Sequence, residues 1–178
     1  MTPPNANKSA TQFQFLIIGY GNELRGDDAA GPRVAQIVAS WQLPSIKSLA
    51  VPQLMPELIN DIADTNYVIF VDACSGSSCS STMQLDPIII GDHSTKSLVA
   101  QETHRCNPLS LLMLTKQLYD RAPQAWFLKM PVESFDIGKE LSSTTKRGCD
   151  RAVTTIEQFI RSYRQPVWLQ PEAYMKSA

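Results

Sequence analysis

Apolar residues along this chain fall into two kinds of run, and the two kinds alternate. Short runs rich in β-branched and aromatic residues predict strands at 14–18, 46–51, 67–71 and 125–132. The third of these, Tyr67-Val68-Ile69-Phe70-Val71, is continuously apolar, as strands are when helices cover both faces of a sheet. Other segments repeat at the helical period. Val34, Ile37, Val38 and Trp41 form one stripe, with Pro32 tolerated because it falls in the first turn. Leu58, Ile59 and Ile62 form a second over 55–63, where Pro56 suits a helix start. Leu109, Leu112 and Met113 share a face over 108–119. Behind a cap at Ser142 or Ser143, the longest helix carries Cys149, Ala152, Val153, Ile156, Phe159, Ile160 and Tyr163 inward. Residues 82–85 and 88–90 read as one strand interrupted at Pro87, near an edge or at a bulge.

Alternation of this kind predicts an α/β fold: a single-domain three-layer sandwich whose twisted, mostly parallel or mixed sheet is covered by helices. The domain is expected at 13–164. Residues 1–12 lack periodicity and read as a flexible lead-in, and 165–178, with two prolines, as an irregular tail. No internal repeat or interdomain linker is visible.

Composition narrows the classes without naming one. The 178 residues are 43% hydrophobic and 19% charged, enough to bury a core without staples. A net charge of −1 gives no footprint for nucleic acid or an anionic membrane surface. No apolar run has the length of a membrane span and the N-terminus is not of signal-peptide type, so a cytoplasmic location is expected. Cys74, Cys79, Cys106 and Cys149 form no regular framework and no zinc-like pairing, and are expected to be reduced thiols.

Candidate chemistry gathers where strands should end. After the 14–18 strand come Gly19 and Gly21, read as residues for a sharp turn, then Asn22, then Asp27 and Asp28 at a helix start. Two adjacent acids exceed what one helix cap needs, so one is expected to cap and the other to face the loop. Asp72 follows the apolar 67–71 strand, and His104 precedes the 108–119 helix. All three loops belong at the carboxyl-end rim, where open α/β sheets hold their chemistry. Two carboxylates and an imidazole suit a divalent ion such as nickel or zinc. Taken singly, Asp72 reads better as a strand-end cap or turn residue and His104 as an exposed loop histidine.

In order, GYGNELRGDDAAGPRVA, YVIFVDACSG, ETHRCNPLSLL and PVESFDIGKELSSTTKRGCDRAV resemble the signature segments of the nickel-iron hydrogenase maturation proteases, from about Phe15 to Arg161. The resemblance implies that Asp28, Asp72 and His104 bind the metal, that Gly19, Gly21 and Asn22 form the substrate-side loop, and that Asp27 or Asp28 is the general base. His93 matches no motif and is read as a surface residue. The implied reaction removes a C-terminal extension from the hydrogenase large-subunit precursor after nickel insertion. Nickel is then brought by the substrate, and the isolated protein holds no tightly bound metal. Ala29 stands where many members have Gly, and Asp28 where some have Glu. Two other readings share part of this pattern. Peptidyl-tRNA hydrolases also open with a G-x-G-N loop, but Glu23 replaces their Pro and their Thr-Arg-His-Asn motif is missing. A non-catalytic nickel-binding checkpoint would use the same residues as the protease.

Overall fold

The structure, a computed structural model, describes residues 13–76, 79–91, 106–138 and 140–164. Strand β1 (Phe13–Tyr20) runs parallel to β2 (Ile46–Val51) on one side and to β3 (Thr65–Cys74) on the other. β3 continues in parallel to β5 (Gln124–Pro131), and β4 (Gln84–Ile88) closes that edge antiparallel to β5. The order is β2-β1-β3-β5-β4, a mixed and mostly parallel sheet as expected.

Alternation along the strands sends side chains to two faces, and each face has its own helices. Phe15, Ile17, Ile69, Val71, Leu128 and Met130 pack with α1 (Ala30–Ala39) and α4 (Ser143–Arg164) through Val34, Val38, Ala152, Ile156 and Ile160. Leu16, Ile18, Val68, Phe70 and Phe127 pack on the other face with α2 (Ile59–Ala63) and α3 (Pro108–Tyr119), through Ile62, Leu109, Leu111 and Leu112. Every strand residue from Phe15 to Ile18 and from Val68 to Val71 is buried, which is why those runs have no polar alternation. Each such side chain removed from water contributes about 1.5 to 3 kcal/mol before entropy is counted.

Several boundaries moved for visible reasons. β3 extends past the apolar run because its pairing with β5 holds to Cys74 opposite Pro131, so Asp72 lies inside the strand's last residues, opposite Lys129. The 55–63 segment divides into a 3-10 turn, Pro56–Leu58, and α2. β4 runs through Pro87 unbroken, because an edge strand pairs on one side only and tolerates a missing N–H. Asn107 and Ser110 form a reciprocal capping box at α3.

Two expectations are corrected. Neither Asp27 nor Asp28 caps α1, whose N-cap is Ala29 with no side-chain bond; both acids lie within a preceding 3-10 turn, Gly26–Ala29, and point elsewhere. Cys74 and Cys79 are also not both free thiols but form a disulfide. A turn closed by Cys79 N–H on the Gly76 carbonyl folds the chain back after β3 and brings the two Cα atoms to 5.7 Å, within bridging range. Residues 1–12 and 165–178, together with His93 and His104, lie outside the described residues.

Candidate functional site: an acidic rim at the carboxyl ends of β1 and β3

Three glycines set how closely the rim is built. A Cβ at Gly19 would lie 2.0 Å from the Gly31 carbonyl oxygen, and one at Gly31 would lie 2.4 Å from the Tyr20 oxygen and 2.6 Å from that of Val71. The first turn of α1 can therefore rest directly on the ends of β1 and β3, which no residue with a side chain would permit. At Gly19 the requirement is space; the backbone angle that favours glycine is at Gly21, with φ +147°. Gly31 escaped the sequence reading, although a fourth glycine soon after Gly19, Gly21 and Gly26 was the available signal.

With Gly31 seated over Val71, the 3-10 turn that leads into it packs against β3, whose next residue is Asp72. Asp28 thus lies in the turn that leads into α1, and Asp72 lies near the carboxyl end of β3. Asp28 is half-buried, and its Oδ2 accepts the Asn22 backbone N–H at 2.9 Å. Asn22 holds that geometry by closing its own turn: its Oδ1 accepts Leu24 N–H at 2.9 Å and its carbonyl accepts Arg25 N–H at 3.0 Å. Gln36 Nε2 donates to Glu23 at 2.8 Å and ties the same loop to α1.

Asp27 has a different environment although it is the next residue. It is 2% exposed, and its carboxylate accepts Ser142 N–H at 2.7 Å, the Ser142 hydroxyl at 3.1 Å, Glu133 N–H at 3.2 Å and Ser134 N–H at 3.4 Å. Burial pushes its pKa up, but bonds from Ser142, Thr145 and Ser134 together hold it below the ordinary carboxylate value. Ser142 in turn caps α4 by accepting Thr145 N–H at 3.1 Å. The acid thus does serve a helix N-terminus, that of α4, more than a hundred residues away.

Among the described residues no three His, Cys, Asp or Glu side chains are grouped to hold a metal. The described part of the expected ligand set is the pair of oxygen donors Asp28 and Asp72. Cys149 offers no nucleophile: burial first, and Asp150 second, push its thiol up to about 11. Two concave grooves, of about 370 and 420 Å³, are lined by other residues, one by Pro87–Ile90 and Pro123–Trp126 and the other by Met83 and α4. The rim itself is a ledge, with Asn22, Glu23, Leu24 and Arg25 all exposed.

A three-layer α/β sandwich around a mixed, mostly parallel five-stranded sheet defines the class. More narrowly, the fold is that of the hydrogenase maturation proteases. The hydrogenase maturating endopeptidase HybD of E. coli superposes with a TM-score of 0.66 at 21% identity, over 85% of this chain and 94% of that one. HycI, a [NiFe] hydrogenase maturation protease of Thermococcus kodakarensis KOD1, gives 0.63 at 23% identity, over 83% and 92%. HybD of Thermococcus kodakarensis gives 0.65 at 22%, over 83% and 99%. No protein-family model matches the sequence, and no curated protein matches it significantly.

Proposed function

We propose that this protein is an endopeptidase that removes the C-terminal extension of a nickel-iron hydrogenase large-subunit precursor after nickel has been inserted. The observation that carries this reading is Asp28, held by Asn22 N–H at 2.9 Å on the rim of a fold shared with hydrogenase maturation proteases. In the sequence resemblance, that position is a metal-binding one.

The nickel belongs to the substrate. Asp28, Asp72 and His104 supply two hard oxygens and one imidazole, a set that meets a metal already held by another chain without needing to retain it. Engaging the loaded precursor in this way fixes its tail relative to the rim and turns cleavage into an oriented event. Hydrolysis adds water across one peptide bond, giving a new carboxylate and a new amine. Asp27 is saturated by donors and held below the ordinary carboxylate pKa, a poor base, so proton transfer falls to Asp28. The reading places the protein in the cytoplasm, with no nucleic acid or membrane partner and no resident metal after dialysis.

The test is the mass of a nickel-loaded precursor before and after incubation with the protein. Loss of a C-terminal peptide from the loaded form, but not from the apo form, is the expected result. Nickel-dependent association without a change of mass would establish the checkpoint instead, and equal processing of both forms would remove nickel from recognition.

A further inference from the structure

Leu24 and Ile137 are the most exposed large apolar side chains among the described residues, at 75% and 80%. They come from loops more than a hundred residues apart, yet they share one patch. Gly138 N–H donates to the Leu24 carbonyl at 2.9 Å, so the residue after Ile137 is bonded to Leu24 itself. The same two loops are joined again by Asp27 N–H on the Ser134 carbonyl and by the Asp27 carboxylate on Glu133, Ser134 and Ser142. On the other side, Asn22 fixes Leu24 and Arg25 through the turn that also orients Asp28.

A pair of aliphatic side chains held outward by this many backbone bonds is a constructed surface. Loops free to move would turn such side chains inward, because burying them is favourable. We infer that Leu24 and Ile137 form a docking ledge for aliphatic side chains of the precursor peptide beside its scissile bond. The occupant follows from continuity: Asn22 joins the ledge to Asp28, so a chain whose scissile bond lies at Asp28 and that runs toward Asn22 crosses the ledge within a few residues. A peptide laid there presents alternate side chains about 6 to 7 Å apart on one face, a spacing that two neighbouring aliphatic residues can receive. This inference rests on the protease reading above and assigns it a specificity-determining surface.

The experiment measures steady-state cleavage of nickel-loaded precursor by the wild type, by L24S/I137S, by the conservative L24M/I137L, and by I89S, a control at an exposed apolar position on the far edge of the sheet. Failure of the wild type to cleave would overturn the protease reading itself. Given wild-type cleavage, the expected result is a KM raised about tenfold or more in L24S/I137S with kcat within about twofold, near-complete recovery in L24M/I137L, and no change in I89S. An unchanged KM, or a loss confined to kcat, overturns the ledge. So does a wild-type homodimer in sedimentation that L24S/I137S dissolves, since the surface would then belong to a second copy.

Discussion

The inner and outer faces of one 3-10 turn, Gly26–Ala29, hold neighbouring acids with opposite surroundings. Inside, Asp27 is buried and accepts four hydrogen bonds that bind the 133–142 segment and α4 to the first loop. Outside, Asp28 is half-buried and accepts the Asn22 N–H. The same functional group becomes a structural tie where donors surround it, and a site residue where its remaining lone pairs meet solvent. What separates them is a single step of a tight turn.

The largest expected effect belongs to the outer face. Asp28→Asn and Asp72→Asn, and His104→Ala by the proposed ligand set, should each lower precursor processing about 100-fold or more, roughly 2.7 kcal/mol of transition-state stabilisation. His93→Ala should leave it unchanged. Asp28→Asn should shift thermal unfolding by about 2 °C or less, as surface changes do. Asp72→Asn can cost more, since a strand-end carboxylate that loses a hydrogen bond costs about 1 to 3 kcal/mol. Parallel loss of activity and stability in Asp28→Asn would erase the distinction between the two acids.

The inner face should respond in the opposite sense. Asp27→Ala strands the N–H groups of Ser142, Glu133 and Ser134, and should destabilise the fold by about 3 kcal/mol, roughly 6 to 12 °C for a chain of this size. An unfolding temperature close to that of the wild type would show that the 133–142 segment is anchored by other contacts.

Asp27 also has a signature in pH. Its folded-state pKa lies below the ordinary value of 3.8, so its contribution is complete above that value and is lost as the pH falls through the folded one. The stability gap between wild type and Asp27→Asn should therefore be widest near neutrality and narrow below about pH 4. A gap independent of pH would mean that shape, not charge, matters at this position.

The sequence made the scaffold legible because parallel strands covered on both faces leave unmistakable apolar runs. Strand ends and tight loops also have local signatures, so Asp28 was legible in the loop after β1 and Asp72 near the end of β3. The partners of Asp27 were not legible: Glu133, Ser134 and Ser142 meet it only after the chain has formed β5, and no local spacing encodes that. For the same reason the acids were assigned to α1, the nearest helix in sequence, when Asp27 serves α4. The Cys74–Cys79 pair was missed because a separation of five says nothing until Gly76 turns the chain. Gly19 was noticed for the wrong property, backbone angle, where contact with Gly31 is what requires it.

The smallest predicted effects come from residues that hold the two acids in place. Ser142→Ala removes one hydroxyl bond to Asp27 and the cap on Thr145 N–H, while the Ser142 backbone N–H still reaches the carboxylate. The cost should be about 1 kcal/mol, or 2 to 4 °C, with processing unchanged. Asn22→Ala keeps the backbone N–H that contacts Asp28 but removes the Oδ1 acceptor that closes the Leu24 turn. Stability should hardly move, because the site is exposed, whereas the aim of that N–H should loosen and processing should fall about tenfold, the lower end of what losing a partner that orients a site carboxylate costs. The two substitutions form a crossed pair: one lowers stability and spares cleavage, the other spares stability and lowers cleavage. If Ser142→Ala impairs cleavage as much as Asn22→Ala does, the faces of the turn are coupled, and Asp27 acts on the chemistry through the position of Asp28.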